Sequence, residues 1–221
     1  MWKYFLPTRV FSGTKTISHN NELFREIGTN AFIVTGRSSA IKSGALDDVQ
    51  EVLDALDIPS TLFDEVEENP TFSTIEKGGK MLSNSACDFV LAIGGGSPLD
   101  AAKAISVVGK NGNCSCRDLF KGKDLPAFPI VTVPTTSGTG SEVTQYSILT
   151  DPEGSKKGFG MPSTFPRISF LDARYTVTMP VDVTISTALD ALSHSIEGEA
   201  VNKGQNPLVK MLSKEIGRAH V

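Results

Sequence analysis

The fold is decided by the segment Val90-Leu-Ala-Ile-Gly94-Gly-Gly-Ser97-Pro-Leu-Asp100. A short apolar run of strand type enters three consecutive glycines, after which apolar residues recur at helical spacing. We predict a strand, a tight turn and a helix, with Ser97 as N-cap, Pro98 at the first helical position and Asp100 closing a capping box. Because glycines leave amides open at a helix N-terminus, the turn suits an anionic group such as a nucleotide phosphate. A glycine turn without a ligand stays open, since the spacing is neither GxGxxG nor the P-loop pattern.

Strand and helix patterns alternate on both sides of this segment. Three successive strand–helix units are followed by strand patterns near 130–133 and 167–171, and residues 146–159 have the turn chemistry of a hairpin. Repeated strand–helix units favour a parallel sheet with right-handed crossovers, whose ligands bind outside the carboxyl ends of the strands. The sequence therefore predicts an α/β fold with an open, mostly parallel, Rossmann-like sheet.

A second ligand-type loop follows the predicted strand at 130–133. It reads Pro134-Thr-Thr-Ser-Gly-Thr-Gly-Ser-Glu-Val-Thr144 and carries six hydroxyl side chains and two glycines. Such a loop can hydrogen-bond phosphate or ribose oxygens from both side chains and backbone. Since both loops follow strands of one parallel sheet, we expect them at the same edge, although a flexible surface linker is the alternative interpretation.

The pattern changes from Met179-Pro180 onward, where alternation gives way to a helical pattern over 183–198. A domain boundary is predicted near 178–182. Asp190 and His194 are one helical turn apart, and their apolar neighbours indicate partial burial. The carboxylate of an aspartate and a neutral imidazole are both suitable ligands for a divalent metal ion. Such a pair on one helix is, however, more often only a contact between two side chains on the same face.

Composition excludes several classes of partner. The 221 residues carry a net charge of −4, so electrostatic attraction does not favour binding to nucleic acid or to an anionic membrane. No apolar run is long enough to span a bilayer, and the N-terminus lacks the apolar core of a signal peptide. The three cysteines lack metal-site spacing and are interpreted as free thiols. We expect a cytoplasmic protein.

Together, the glycine turn, the Pro134–Thr144 loop and the Asp190–Gly198 segment resemble the iron-dependent (group III) alcohol dehydrogenase family, with Asp64–Pro70 as a fourth matching motif. The resemblance runs from about residue 5 to 214. It implies a dinucleotide-binding α/β domain, placed here at 1–178, and the start of an all-helical metal-binding domain at 179–214. It also implies NADP or NAD, one divalent metal, commonly iron, and a small alcohol or aldehyde substrate.

The resemblance assigns roles to individual residues. Asp190 and His194 match the first two metal ligands of the family. The positions that match the surroundings of the cofactor are Asn69, Gly95, Gly96, Ser97, Asp100, Thr135, Thr136, Thr139 and Lys157. No general base is implied.

The chain departs from the family pattern at its end. Family members continue for well over a hundred residues and supply two histidine ligands there, whereas His220 here lies in a tail that breaks the helical pattern. Residues 215–221 can be reverse-translated into a common sequencing adapter and are interpreted as non-native. We expect a fragment that is inactive alone, with exposed apolar surface and poor solubility; a homodimer is left open for a complete protein.

The end of the first strand bears on cofactor choice. The resemblance implies that many NAD-preferring members of the family have Asp at the position of Gly36. The carboxylate of that Asp would repel the 2′-phosphate of NADP. Arg37, Ser38 and Ser39 offer a cation and hydroxyl donors that suit such a phosphate, so NADP is predicted over NAD. The alternative is that Gly36 only makes the turn and Arg37 faces water.

Two other functions stay open. One is a nucleotide-binding module without catalysis, because two metal ligands leave an ion under-coordinated. The other is a polyol oxidoreductase similar to glycerol dehydrogenase, or the related dehydroquinate synthase group, which share the two-domain plan. The sequence does not identify the alcohol or aldehyde.

Overall fold

The structure, a computed structural model, describes residues 4–112, 114–200 and 207–216, with the side chains of 214–216 left out. Its strands are β1 Arg9–Ser12, β2 Ala31–Gly36, β3 Ser60–Val66, β4 Phe89–Gly94, β5 Ile130–Pro134, β6 Tyr146–Thr150, β7 Lys156–Gly160 and β8 Ile168–Leu171. Its α-helices are α1 Thr16–His19, α2 Leu23–Ile27, α3 Ser39–Lys42, α4 Ala45–Ala55, α5 Phe72–Ser83, α6 Gly96–Lys110, α7 Val181–Ala200 and α8 Pro207–Ile216.

Six strands form one parallel sheet in the order β1-β8-β5-β4-β2-β3, so the predicted open α/β architecture is confirmed. The order reverses beside β4, because β2 lies on one side of it and β5 on the other. At such a switch point the two adjacent connections leave the sheet on opposite faces, and a crevice opens outside the strand ends. The predicted hairpin is also present as the antiparallel pair β6–β7.

Burial on both faces explains the continuous apolar sequence of β4. Val90 and Ala92 face one buried cluster, which includes apolar side chains of α5 and α6. Phe89, Leu91 and Ile93 face the opposite cluster with α4. Strands covered on both faces lose the polar alternation of half-exposed strands. The sheet is therefore a rigid support for the loops at its carboxyl edge.

The predicted start of α6 is wrong. The helix begins at Gly96 with Gly95 as N-cap, and no side chain caps it. Ser97 lies inside the first turn, where its Oγ accepts a hydrogen bond from the Asn69 amide at 3.2 Å. The Asp100 carboxylate is engaged by other partners, described below, and does not return to the helix start. Long-range hydrogen bonds thus replaced the local capping box.

Helix α7 differs from the prediction in its burial. Asp190 and His194 were expected to be partly buried, but their side chains are 45% and 57% exposed. The apolar residues Ile185, Leu189 and Ile196 on the same helix are 53%, 60% and 58% exposed. Among the described residues, α7 packs mainly against α8 and leaves this face open. The predicted exposure of apolar surface is confirmed, whereas the expected poor solubility stays a prediction.

The structure does not test the predicted domain boundary or the predicted non-native tail. The division into domains at 178–182 stays a prediction, with α7 beginning at Val181. Helix α8 includes residues 215 and 216, the first two of the predicted non-native tail, and residues 217–221 with His220 lie outside the described residues. None of the described helices is long and apolar enough to cross a membrane.

Candidate nucleotide and metal site

The glycine turn and the Pro134–Thr144 loop meet at the carboxyl edge of the sheet, as predicted. The Thr135 amide donates a hydrogen bond to the Gly94 carbonyl at 2.9 Å, which joins the ends of β5 and β4. Gly94 has φ +147°, a conformation that side chains with Cβ rarely adopt. This backbone turns the chain sharply from β4 into α6 and directs the first amides of the helix outward.

Space above the glycines is limited by threonine side chains. A Cβ at Gly95 would lie 3.2 Å from Thr136, and one at Gly96 would lie 3.1 Å from Thr139. Thr135 is only 3% exposed, and its Oγ1 has no hydrogen-bond partner among the described residues. The turn and the loop therefore form a narrow cradle, in which the start of α6 has no side-chain cap and the Thr135 hydroxyl has no partner among the described residues.

Two adjoining cavities, together called the cleft, open above this cradle. One encloses about 550 Å³ and reaches from the end of β2 to the first turns of α7. The other encloses about 510 Å³ and reaches Asp190 and His194. Between them they are lined by ten of the residues predicted to surround a cofactor: Gly36, Ser39, Asn69, Gly95, Gly96, Ser97, Asp100, Thr135, Thr136 and Thr139.

Two predicted cofactor residues are not brought to the cleft. Ser38 precedes α3 and makes no capping hydrogen bond. Lys157 pairs with the buried Leu149 in the hairpin, so its side chain lies on the far face, where its Nζ is 3.6 Å from Asp151. Lys156 lines the cleft instead. Because strand side chains alternate, a shift of one residue exchanges the two faces; the cofactor role of Lys157 stays a prediction.

Two carboxylates of the Asp64–Pro70 motif, to which the sequence interpretation gave no role, also line the cleft near Gly36. Glu67 and Glu68 follow β3 at the same edge. Burial alone would raise the pKa of Glu67, but hydrogen bonds from its own backbone, Thr71 and Thr74 hold that pKa below its usual value. The Glu67 charge is therefore already compensated by local donors.

Asp100 joins α6 to the loop and the hairpin. Its Oδ1 accepts a hydrogen bond from the Ser141 hydroxyl at 2.5 Å, and its Oδ2 accepts one from the Ile148 amide at 2.9 Å. Its carbonyl oxygen accepts a further bond from Ser147 at 2.9 Å. Although Asp100 lines the cleft, both carboxylate oxygens are occupied by protein donors.

A buried lysine beneath Asp100 was also missed. Lys103 is 0% exposed, and burial lowers the pKa of its ammonium to about 8 although Asp100 and Glu142 act in the opposite direction. Burial in turn raises the pKa of Glu142. The sequence signal for this pair is a lysine three positions after Asp100, in a stretch of small and apolar residues, because that helical spacing favours an ion pair.

The predicted metal pair lies on α7 beside the cradle. Asp190 Oδ1 and His194 Nε2 are 3.9 Å apart, and the side chains are 45% and 57% exposed. Within the described part of the chain, no group of three or more His, Cys, Asp or Glu side chains is arranged to hold a metal ion. Gly138, with φ +132°, brings the loop against the Thr187 carbonyl and so sets α7 beside it.

Comparison with known proteins agrees with this architecture. The family model of iron-containing alcohol dehydrogenases matches residues 7–173. A choline dehydrogenase of Bacillus subtilis is 35% identical over 199 residues, which are 87% of this chain and 49% of that protein.

Solved structures show the same fold. An iron-containing alcohol dehydrogenase from Thermotoga maritima has a TM-score of 0.91 and 44% identity, covering 97% of this chain and 59% of that one. A sulfoacetaldehyde reductase from Bifidobacterium kashiwanohense, solved in complex with NAD+, has a TM-score of 0.80 and 31% identity, covering 90% and 53%. The chain spans about half the length of the curated relatives it matches. The predicted resemblance is confirmed, and the chain belongs to the iron-containing alcohol dehydrogenase family.

Proposed function

We propose that this chain binds a nicotinamide dinucleotide, NADP in preference to NAD, in the cleft and supplies two ligands of a divalent metal, Fe²⁺, in an alcohol dehydrogenase or aldehyde reductase. The observation that carries the proposal is the cradle itself. The start of α6 at Gly95–Ser97 has no side-chain cap, and it lies beside threonines and the Thr135 hydroxyl, which has no partner among the described residues. Such an uncapped helix start with hydroxyl groups beside it is suited to a pyrophosphate. The metal pair lies at the same cleft, so both groups would meet one substrate.

The chain's own residues have distinct tasks in this proposal. Gly95 and Gly96 admit the phosphates to the backbone, and Thr135, Thr136 and Thr139 would donate or accept hydrogen bonds around them. Asp190 and His194 fit a divalent metal in donor type, with one carboxylate oxygen and one imidazole nitrogen. When bound, the nicotinamide supplies hydride chemistry and the metal supplies Lewis acidity for the oxygen of a small alcohol or aldehyde.

Nucleotide binding without turnover is the function proposed for the 221 residues alone. Two donors do not complete a metal site, and the described residues provide no third one near them. The three cysteines are free thiols in the structure, which supports the cytoplasm as compartment. A homodimer of the complete protein remains a prediction. A polyol substrate similar to glycerol also remains a prediction, since none of the residues described above favours it.

The direct test is titration of the chain with NADPH and NADH, followed by nucleotide fluorescence. We expect saturable binding of NADPH, competition by excess ADP, and no oxidation of small primary alcohols by NADP+ in the presence of Fe²⁺. A chain that is folded by circular dichroism and binds neither nucleotide contradicts the proposal. Turnover by the 221 residues would contradict the assignment of an incomplete metal site.

Replacing Gly36 with Asp is expected to weaken NADPH binding at least tenfold while NADH binding changes less than about twofold. The new carboxylate would repel the 2′-phosphate of NADPH, an effect of about 1.5 kcal/mol or more, whereas NADH carries no such phosphate. Gly36→Ser is the matched control, because its Cβ meets the Val66 carbonyl at the same 3.2 Å without adding charge. Equal wild-type affinities for the two nucleotides, or unchanged NADPH binding in Gly36→Asp, would sink the NADP preference.

A further inference from the structure

The most deeply buried charge in the described part of the chain has no role in the proposed binding so far. Lys103 is fully buried in α6, below the surface of the cleft. A lysine ammonium is rarely buried without partners that compensate its lost hydration. The groups that surround the Lys103 ammonium therefore indicate its structural role.

Those partners come from three different segments. Lys103 Nζ donates to Ser141 Oγ at 2.7 Å and to the Tyr146 carbonyl at 2.6 Å. The Ser141 hydroxyl passes the chain of hydrogen bonds on to Asp100, which is itself 3.7 Å from the ammonium. One side chain thus joins α6 to the Pro134–Thr144 loop and to the start of β6.

The joined segments carry the cleft. Ser141 and Thr139 belong to the loop that faces Gly96, and the Thr139 hydroxyl accepts a hydrogen bond from the Ser141 amide at 3.4 Å. Asp100, Ser141 and Tyr146 all line the cleft, whereas Lys103 does not reach it. A change at Lys103 would therefore act on a bound ligand only through these neighbours.

We infer that Lys103 is a positioning residue for nucleotide binding: its ammonium fastens the Pro134–Thr144 loop to α6 and neutralises the carboxylates beside the phosphate cradle. The inference rests on the proposed nucleotide-binding function. The charged groups facing the ammonium are Asp100 on its own helix and Glu142 in the loop, while β6 contributes the neutral Tyr146 carbonyl. Without the positive charge, two carboxylates would stand uncompensated near an anionic ligand.

The test compares Lys103→Met with wild type by NADPH titration at pH 7. Methionine keeps the length of the side chain and removes the charge and the donors. We expect NADPH affinity to fall at least tenfold, the scale for loss of one partner of a buried charged cluster. Lys110→Met is the matched control, because Lys110 lies on the same helix, is exposed and stacks over Phe128; its affinity is expected to equal that of wild type.

A pH series separates positioning from general destabilisation. Between pH 7 and 9.5 we expect wild-type and Lys110→Met affinities for NADPH to fall severalfold as Lys103 loses its proton, whereas Lys103→Met shows no such fall. If Lys103→Met does not fold, the wild-type series decides alone, and a flat profile overturns the inference. Folded Lys103→Met with wild-type affinity also overturns it. Absence of nucleotide binding in wild type at pH 7 overturns the proposed function and, with it, this inference.

Discussion

Gly94→Ala is expected to lower the free energy of unfolding by about 2–6 kcal/mol and to abolish measurable NADPH binding. The backbone at Gly94 has φ +147°, where a residue with Cβ is strained by about 1–3 kcal/mol. The added methyl group would also lie 2.7 Å from Pro98 Cγ, in a ring that cannot rotate away, and overpacking of this kind costs about 1–3 kcal/mol. Relief of either strain requires the turn to move, which redirects the amides of the cradle.

Urea unfolding followed by circular dichroism measures this change, with Gly122→Ala as the control. Gly122 also has a positive φ, +68°, but no atom lies within 4 Å of a Cβ placed there. We therefore expect Gly122→Ala to cost only about 1–2 kcal/mol, from backbone strain alone. If Gly94→Ala proves as stable as Gly122→Ala and still binds NADPH, the clash with Pro98 does not constrain the turn.

The stability difference between Lys103→Met and wild type is expected to depend on pH above neutrality. The pKa of Lys103 is about 8 in the folded chain against an ordinary value near 10.5, so the unfolded chain holds the proton over the window between them. The contribution of this lysine to folding stability is therefore smallest below pH 8 and grows as pH rises toward 10.5. The full change is about 3 kcal/mol, of which about 2 kcal/mol falls between pH 7.5 and 10.

Other titratable groups make the folded chain less stable as the pH rises, so the effect of Lys103 must be measured as the difference between wild type and Lys103→Met. Burial raises the pKa of the Cys116 thiol and of Tyr175, and each destabilises the fold as pH rises past its ordinary value. These contributions are common to both proteins and cancel in the difference. Wild type should gain about 2 kcal/mol on Lys103→Met from pH 7.5 to 10, measured by urea unfolding. A difference that stays constant would show that the Lys103 ammonium is not destabilised by burial.

The elements around β4 could be predicted because their signals are local. An apolar run predicts a strand buried on both faces, three glycines predict a sharp turn, and the Asp151–Gly154 turn predicts the hairpin. The turn Asp151-Pro-Glu-Gly154 lies within the hairpin pattern at 146–159. Each of these signals depends on residues adjacent in sequence, whose backbone preferences act at short range. The meeting of the glycine turn with the Pro134–Thr144 loop also followed, since parallel strands present their carboxyl ends at one edge.

The misassigned residues depend on partners far away in sequence. Asp100 suits a capping box by spacing, but Ser141 and Ile148, 41 and 48 residues later, bind its carboxylate. Ser97 suits an N-cap, yet it binds Asn69, 28 residues earlier. A local pattern states which hydrogen bond a side chain could make, whereas packing decides which acceptor and donor actually meet.

By itself the sequence determined the parallel α/β sheet, the glycine turn after β4, the family and the spacing of Asp190 and His194, because periodicity, glycine positions and motif order are properties of the linear chain. Only the tertiary structure decided that Lys156 rather than Lys157 faces the cleft, that Lys103 lies buried beneath it, and that Asp190 and His194 are about half exposed. The physical reason is that burial and the direction of a side chain are set by what packs against it, and those neighbours come from elements distant in sequence.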